Sequence, residues 1–202
     1  MPKLGCGWVM RIIFLGPPGV GKGTQSQKLV DYWSIPHIST GEMLREATRN
    51  KTELGLKAAA QMEGGRLASD EIVVQMVRQR LAQSDCRNGY LLDGFPRTLP
   101  QAASLDLGLA VDDDAVDAVL NLEVDQEELF RRLMARALKE DRGDDNEDTI
   151  RNRMKVYNDM TFPLIQYYEE QKVLFRIDGI GTIEEVFDRI QTVLKEVAEK
   201  RA

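Results

Sequence analysis

Gly16-Pro-Pro-Gly-Val-Gly-Lys-Gly-Thr24 decides the architecture of this 202-residue chain. It follows a short apolar run, Met10–Leu15 (MRIIFL), and opens a helical stretch near Lys22. Its form is G-x4-G-K, placed between a strand and a helix, the context in which this motif carries chemistry. Side-chain-free glycines let successive backbone N–H groups curl around a phosphate. The helix that follows adds its positive amino end, and Lys22 brings a full charge to the outer phosphates. The bland alternative, a Gly-Pro turn, accounts for neither the spacing nor the lysine. Gly23 stands where Ser or Thr usually holds magnesium in such loops, and Thr24 comes one residue later. That argues against a switch GTPase and for a metal held in another way.

Working outward, further apolar runs read as buried strands: Tyr90–Leu92, Val116–Leu122, Val173–Ile177 and, more weakly, Pro36–Ser39. Helical periodicity lies between them. Asp70–Gln83 sets Ile72, Val73, Met76, Val77 and Leu81 on one face. Thr182–Lys200 does the same with Ile183, Val186, Phe187, Ile190, Val193, Leu194 and Val197, and Thr182 with Glu185 makes a capping box. Asp125 with Glu128 repeats that signal. Asn146–Lys172 is one long helical stretch with Pro163 inside it, which predicts a kink. Strands alternating with helices imply an α/β fold, a parallel five-stranded sheet flanked by helices on both faces. Ligands of such sheets bind beyond the carboxyl ends of the strands.

Composition narrows the function. Apolar residues make up 43% of the chain and charged residues 30%, with a net charge of −6. An acidic chain is repelled by phosphate backbones, so nucleic acid and anionic membranes are poor partners. Any anionic ligand needs a local concentration of cations. Cys6 and Cys86 stand far apart and there is one histidine, His37, too few ligands for structural zinc. No stretch approaches a membrane span, and the start MPKLGCGWVM is not a signal peptide. The expectation is a cytoplasmic protein. Residues 1–9 resemble no element and read as a flexible lead, or as residues ahead of a natural start at Met10.

The loop GPPGVGKGTQ resembles that of the nucleoside monophosphate kinases, GxPGxGKGTQ. Three more segments, HISTGEMLR (37–45), LDGFPR with TLPQ (92–101) and DDNEDTIRNR (144–153), follow in the order and spacing of adenylate kinases. The resemblance runs from about Met10 to the C-terminus. It implies a P-loop NTPase-type fold in one domain, with the core in 10–38, 69–136 and 148–202. A helical AMP-binding insertion covers 39–68 and a short lid 137–147. It implies Mg2+-dependent phosphoryl transfer between ATP and AMP, by a monomer.

The site residues follow from the same resemblance. Gly19, Val20, Gly21, Lys22, Gly23 and Thr24 would hold ATP phosphates, Arg132 and Arg136 would contact ATP, and the backbone of Gly181 would lie beside its adenine. Thr40, Arg45, Arg66, Leu67, Ala68, Gly94, Phe95, Pro96, Arg97 and Gln101 would form the AMP side. Arg142 and Arg153 would bridge the transferring phosphoryl group and AMP. Only five residues separate Arg136 from Arg142, so long-lid relatives' extra subdomain has no room here. Asp93 reads as a magnesium ligand through water, or as an Asp-Gly turn residue. The amide of Gln101 matches the N6 and N1 edge of adenine, although Thr98 with Gln101 also fits a capping box. Arg45 alone reads equally as a solvated charge, and Arg131, Arg132 and Arg136 near Glu127 and Glu128 as a salt-bridged helix face; the resemblance leaves Arg131 alone in that role. His37 is expected to pack or hydrogen-bond beside the cradle.

Phosphoryl transfer to a phosphate oxygen needs no general base, because the acceptor is already anionic. It needs positioning and charge neutralisation, which suits a set rich in arginine. Three other functions stay open: a UMP/CMP kinase on the same fold, a nucleotide-sensing module without turnover, and a P-loop hydrolase. UMP/CMP kinases typically carry Ala at the position of Thr40 and Asn-rich sequence after GFPR, and this chain has neither.

Overall fold

The computed structural model describes residues 9–139 and 147–200, and for 135–139 the backbone alone. Cys6, Arg142 and residues 140–146 of the expected lid lie outside it, as does the side chain of Arg136.

Five strands, β1 (Met10–Leu15), β2 (His37–Ser39), β3 (Gly89–Asp93), β4 (Ala118–Glu123) and β5 (Leu174–Asp178), form one parallel sheet in the order β2-β3-β1-β4-β5. Alternate residues of β1 feed opposite faces, as a period of two requires. Ile12 and Phe14 join Leu29, Leu120, Leu122, Ile190 and Leu194 in one core cluster. Ile13 and Leu15 join Ile38, Val77, Val119, Leu164 and Tyr168 in the other. Both faces are covered, which is why the strand reads as a continuous apolar run.

Four of the five strands differ by one or two residues from the sequence reading, and β4 and β5 shift toward the C-terminus. β4 starts at Ala118 because Asp117 is turned inward. The Arg11 N–H donates to Asp117 Oδ2 at 2.6 Å, and the Asp117 N–H donates to the Arg11 carbonyl at 3.0 Å. β5 runs one residue later than the apolar run, although the Val173 carbonyl already accepts from the Val119 N–H at 2.8 Å.

The helices are α1 (Lys22–Trp33), α2 (Thr40–Arg49), α3 (Glu53–Met62), α4 (Asp70–Leu81), α5 (Leu99–Ala110), α6 (Gln126–Lys139), α7 (Glu147–Val156), α8 (Pro163–Glu170) and α9 (Ile183–Glu199). The Thr182/Glu185 capping box is present in full. At Asp125 only half of it forms. The Glu128 N–H donates to Asp125 Oδ1 at 2.8 Å, but the Glu128 carboxylate turns to Arg131 and Arg132. The long stretch before Pro163 does break, by a widened turn. Residues Tyr157–Thr161 are π-helical, and the Phe162 N–H reaches back to the Tyr157 carbonyl at 2.8 Å. Pro163 has no N–H to continue the ladder, and its ring displaces the carbonyl one turn earlier.

α2 and α3 pack as a hairpin capped by Ser39 and Thr52. Gly55 makes that packing possible, since a Cβ there would lie 2.2 Å from the backbone carbon of Ala47. Gly55→Ala is therefore expected to lower stability by about 1–3 kcal/mol, the usual cost of overpacking. Urea unfolding should show a reduced midpoint at unchanged slope.

Register sets the stage for the site. Asp93 lies level with Phe14 on one side and Ser39 on the other. The ends of β1, β2 and β3 thus open together at one edge of the sheet. The loop after β1, the loop after β3 and the start of α2 all emerge there.

Candidate active site

A cleft of about 1350 Å3 lies at this edge. Among the described residues it is lined by seven cationic side chains, Lys22, Arg45, Arg66, Arg97, Arg131, Arg132 and Arg153, against three carboxylates, Glu42, Asp93 and Glu128. In a chain of net charge −6 that inversion marks a polyanion site. Gly19 to Thr24, Gly94, Pro96 and Gly181 also line it.

The β1–α1 loop forms the floor. Gly21 is the residue ahead of α1, and no side chain caps that helix. Its first N–H groups are thereby left to a ligand. Lys22 Nζ donates to the carbonyls of Gly16 (2.7 Å) and Pro17 (3.1 Å), so its charge sits over the loop.

Asp93 ends β3 beside that charge. Burial alone would raise its pKa. The His37 contact, at 3.5 Å from Nε2 to Oδ2, and the charges of Lys22 and Arg97 outweigh burial and hold the carboxyl below the usual range. It is a carboxylate at any physiological pH, and His37 is beside the cradle as expected.

Gly94 follows with φ +77°, and a Cβ there would meet Arg97 Nη2 and Thr40 Oγ1 at 2.9 Å. Only glycine lets those two side chains converge on its carbonyl. Thr40 Oγ1 donates to it at 2.7 Å and Arg97 Nε at 2.9 Å. The Arg97 carbonyl in turn accepts from Thr161 Oγ1 at 2.9 Å, which the π-helical turn brings inward. Burial lowers the pKa of Arg97. Asp93 opposes that shift, while Arg153 and Arg45 add to it by repulsion. Arg45 on α2 and Arg153 on α7 thus lie near enough to repel Arg97, and all three border the cleft. Phe95 points instead into the second core cluster and is 1% exposed.

Behind Arg97 is a smaller cavity of about 30 Å3, bordered by Thr40, Arg66, Leu67, Ala68, Arg97 and Gln101, among others. That volume suits a water or two. Gln101 is 1% exposed, with both ends of its amide engaged. Oε1 accepts from the Arg97 N–H at 2.8 Å, and Nε2 donates to Asp70 Oδ1 at 2.7 Å. The capping-box alternative is half realised: Thr98 Oγ1 accepts from the Gln101 N–H at 3.3 Å, but the Gln101 side chain goes elsewhere.

On the opposite wall Arg132 ties three elements together. Nε donates to Glu128 (2.6 Å), Nη1 to the Val20 carbonyl (2.8 Å) and Nη2 to the Gly179 carbonyl (2.9 Å). The salt-bridged helix face is real for Arg131 and Arg132 alike, since both donate to Glu128, whose pKa falls to about 2. Arg131 still borders the cleft. Gly181 lies in the turn ahead of α9 with φ +121°.

Sequence reasoning named Glu128 only as an ion-pair partner of Arg131 and Arg132, a helix-pair signal that the structure bears out. It missed Gly179, Tyr157, Thr161 and Asp70, which act through tertiary approach and left no local signal.

Two comparisons with known proteins bear on this geometry. A family model described as adenylate kinase matches residues 14–173. A protein of Thermobifida fusca named adenylate kinase is 52% identical, over 92% of this chain and 98% of its own length. Proteins of that name from Leptospira biflexa serovar Patoc (46% identical, 93% of this chain, 99% of theirs) and Xanthomonas campestris pv. campestris (47%, 92% and 99%) are similar in the same way.

Proposed function

Because this chain belongs to the adenylate kinase family, we propose that its cleft brings ATP and AMP together phosphate to phosphate, through the residues assigned below. The enzyme is a nucleoside monophosphate kinase catalysing ATP + AMP = 2 ADP in either direction. An oxygen of the AMP phosphate attacks the γ-phosphorus. The bond from that phosphorus to the β–γ bridging oxygen breaks, and no proton needs to be removed first.

The backbone N–H groups of Gly19 to Thr24 cradle the ATP phosphates, and Lys22 swings from its loop carbonyls onto the outer ones. Arg132, with three N–H bonds committed, holds the ATP side in shape and offers its remaining donors. Arg136 joins it, and the Gly181 backbone borders the adenine. Arg45 and Arg97 grip the AMP phosphate, while Arg153 and Arg142 span the two nucleotides. Thr40, Arg66, Leu67, Ala68, Gly94, Phe95, Pro96 and Gln101 shape the AMP pocket, with Gln101 meeting the base. Segment 39–68 is the moving acceptor insertion and 137–147 the lid, which close to keep water from competing with AMP.

The donor set fits magnesium. One ionised carboxylate, Asp93, beside a phosphate cradle suits an ion that keeps much of its water shell and takes phosphate oxygens as ligands. When bound it neutralises charge on the ATP phosphates. Among the described residues no helix is long and apolar enough to cross a membrane; a monomer working in the cytoplasm is part of the proposal.

The observation that carries these assignments is the mutual approach of Arg45, Arg97 and Arg153 in the cleft that also holds Lys22. Repulsion of Arg97 by the other two is a cost that bound anions would reduce. ADP formation from Mg-ATP with AMP, CMP, UMP or GMP tests the reading. AMP is expected to be preferred by at least about tenfold in kcat/KM, since a site built around base hydrogen bonds rejects mismatched donors and acceptors. Preference for a pyrimidine would remove the roles given to Gln101 and Thr40. Binding without turnover would indicate a sensor, and phosphate release without acceptor a hydrolase.

A further inference from the structure

We infer that Asp70 is a positioning residue that fixes which way the Gln101 amide faces, and so sets the selectivity between 6-amino and 6-oxo purine monophosphates. This rests on the reading that Gln101 meets the acceptor base.

Asp70 is the first residue of α4, two positions beyond segment 39–68. Its Oδ1 accepts from Gln101 Nε2 at 2.7 Å and from Thr98 Oγ1 at 3.0 Å. On the other side Gln101 Oε1 accepts from the Arg97 N–H at 2.8 Å. A carboxylate only accepts and a backbone N–H only donates. Turning the amide over would set Oε1 against the carboxylate and the NH2 group against the Arg97 N–H, two repulsive contacts in a nearly closed site. Asp70 and the Arg97 backbone together therefore admit one orientation.

That orientation leaves one N–H on Nε2 and one lone pair on Oε1, in fixed order along the amide edge. Adenine offers a donor at N6 and an acceptor at N1. A 6-oxo purine offers the reverse, an acceptor at O6 and a donor at N1. An amide free to turn over would satisfy either base. One held in place satisfies only one of them, so discrimination depends on the residue that holds it. Asp70 is suited to that task because its bond is charge-assisted, about twice as strong as a neutral one.

The experiment measures kcat/KM for AMP and for inosine 5′-monophosphate, with Mg-ATP as donor, in the wild type, Asp70→Asn, Gln101→Ala and Thr98→Val. Asparagine keeps the shape of aspartate but can accept from Nε2 or donate to Oε1, which removes one of the two repulsive contacts that exclude the turned orientation and leaves only that with the Arg97 N–H. The AMP/IMP ratio is expected to narrow about tenfold in Asp70→Asn, chiefly through KM, and to collapse in Gln101→Ala. Thr98→Val weakens the same junction without freeing the amide, so it should lower stability while keeping the ratio. Equal losses for both acceptors in Asp70→Asn, or no change, would overturn the positioning role if Gln101→Ala still collapses the ratio. An unchanged ratio in Gln101→Ala would instead remove the base-reading role of Gln101 itself. Should Asp70→Asn prove too unstable to assay, Asp70→Ser carries the same expectation, its side chain being too short to reach the amide.

Discussion

Lys22→Met is expected to lower kcat by about a thousandfold, the upper range for removing one preorganised electrostatic donor, while nucleotide binding weakens far less. Methionine matches lysine in length and apolar stem, so packing is little disturbed. What goes is the charge that we propose reaches the outer phosphates from the loop. Those phosphates gain charge density as the bond to the leaving oxygen stretches, so the interaction is stronger in the transition state than in the ground state, the condition for an effect on kcat. Lys22 also donates to the Gly16 and Pro17 carbonyls, so the variant loses some stability as well. Two ordinary hydrogen bonds contribute roughly 1–3 kcal/mol in total, too little to unfold a typical domain. Steady-state kinetics with both substrates, together with ATP binding measured by calorimetry, separates these effects. A parallel loss in binding and turnover would mean that Lys22 anchors the ground state only.

Lys22 also shows which parts of the site were legible in sequence. Its chemistry is local: glycines, lysine and helix start are consecutive, so spacing alone discloses the cradle. The same holds for β1, whose apolar run reports burial on both faces, and for the Thr182 cap. Locality fails at the junction of Asp70, Thr98 and Gln101, whose partners stand 28 and 31 positions apart. There the sequence offered a capping box. The helix did take half of it, while the tertiary approach of α4 claimed the side chain. Arg132 failed in another way. Its i–4 carboxylate, Glu128, predicted a surface ion pair, and that pair forms. Its bonds to Val20 and Gly179, 112 and 47 positions away, need the sheet to bring three loops to one edge. The extra turn before Pro163 was foreseen as a kink. That it would carry Thr161 to the Arg97 carbonyl depends on where α7 and α8 pack.

Arg97→Met is the second large effect, and its sign is opposite for activity and for stability. Loss of this guanidinium is expected to lower kcat/KM for AMP by about a thousandfold, within the range for an arginine acting at a transferring phosphoryl group. The dissociation constant of ATP should change by no more than about threefold, because the cradle is untouched. In the absence of nucleotide the variant should melt no lower than the wild type. Arginine stays protonated at every accessible pH, and its pKa here lies below the ordinary value, with burial first and Arg153 and Arg45 adding to it against the pull of Asp93. A base whose pKa falls on folding is a charge held more weakly in the folded state than in the unfolded one, so below that pKa its protonation opposes folding. Methionine relieves the repulsion and fills similar space. Asp93 keeps His37 and Lys22 as partners, and the Gly94 carbonyl keeps the Thr40 hydroxyl. On the proposed assignment, arriving phosphates offset part of the cost of gathering these cations, the usual conflict between stability and activity. Thermal melts with and without AMP are the measurement. The wild type should gain more from AMP than the variant does, because it has more repulsion for the phosphate to relieve. A variant that melts several degrees lower without ligand would mean that Arg97 is part of the scaffold, and that the crowding of these guanidinium groups is not a preparation for anions.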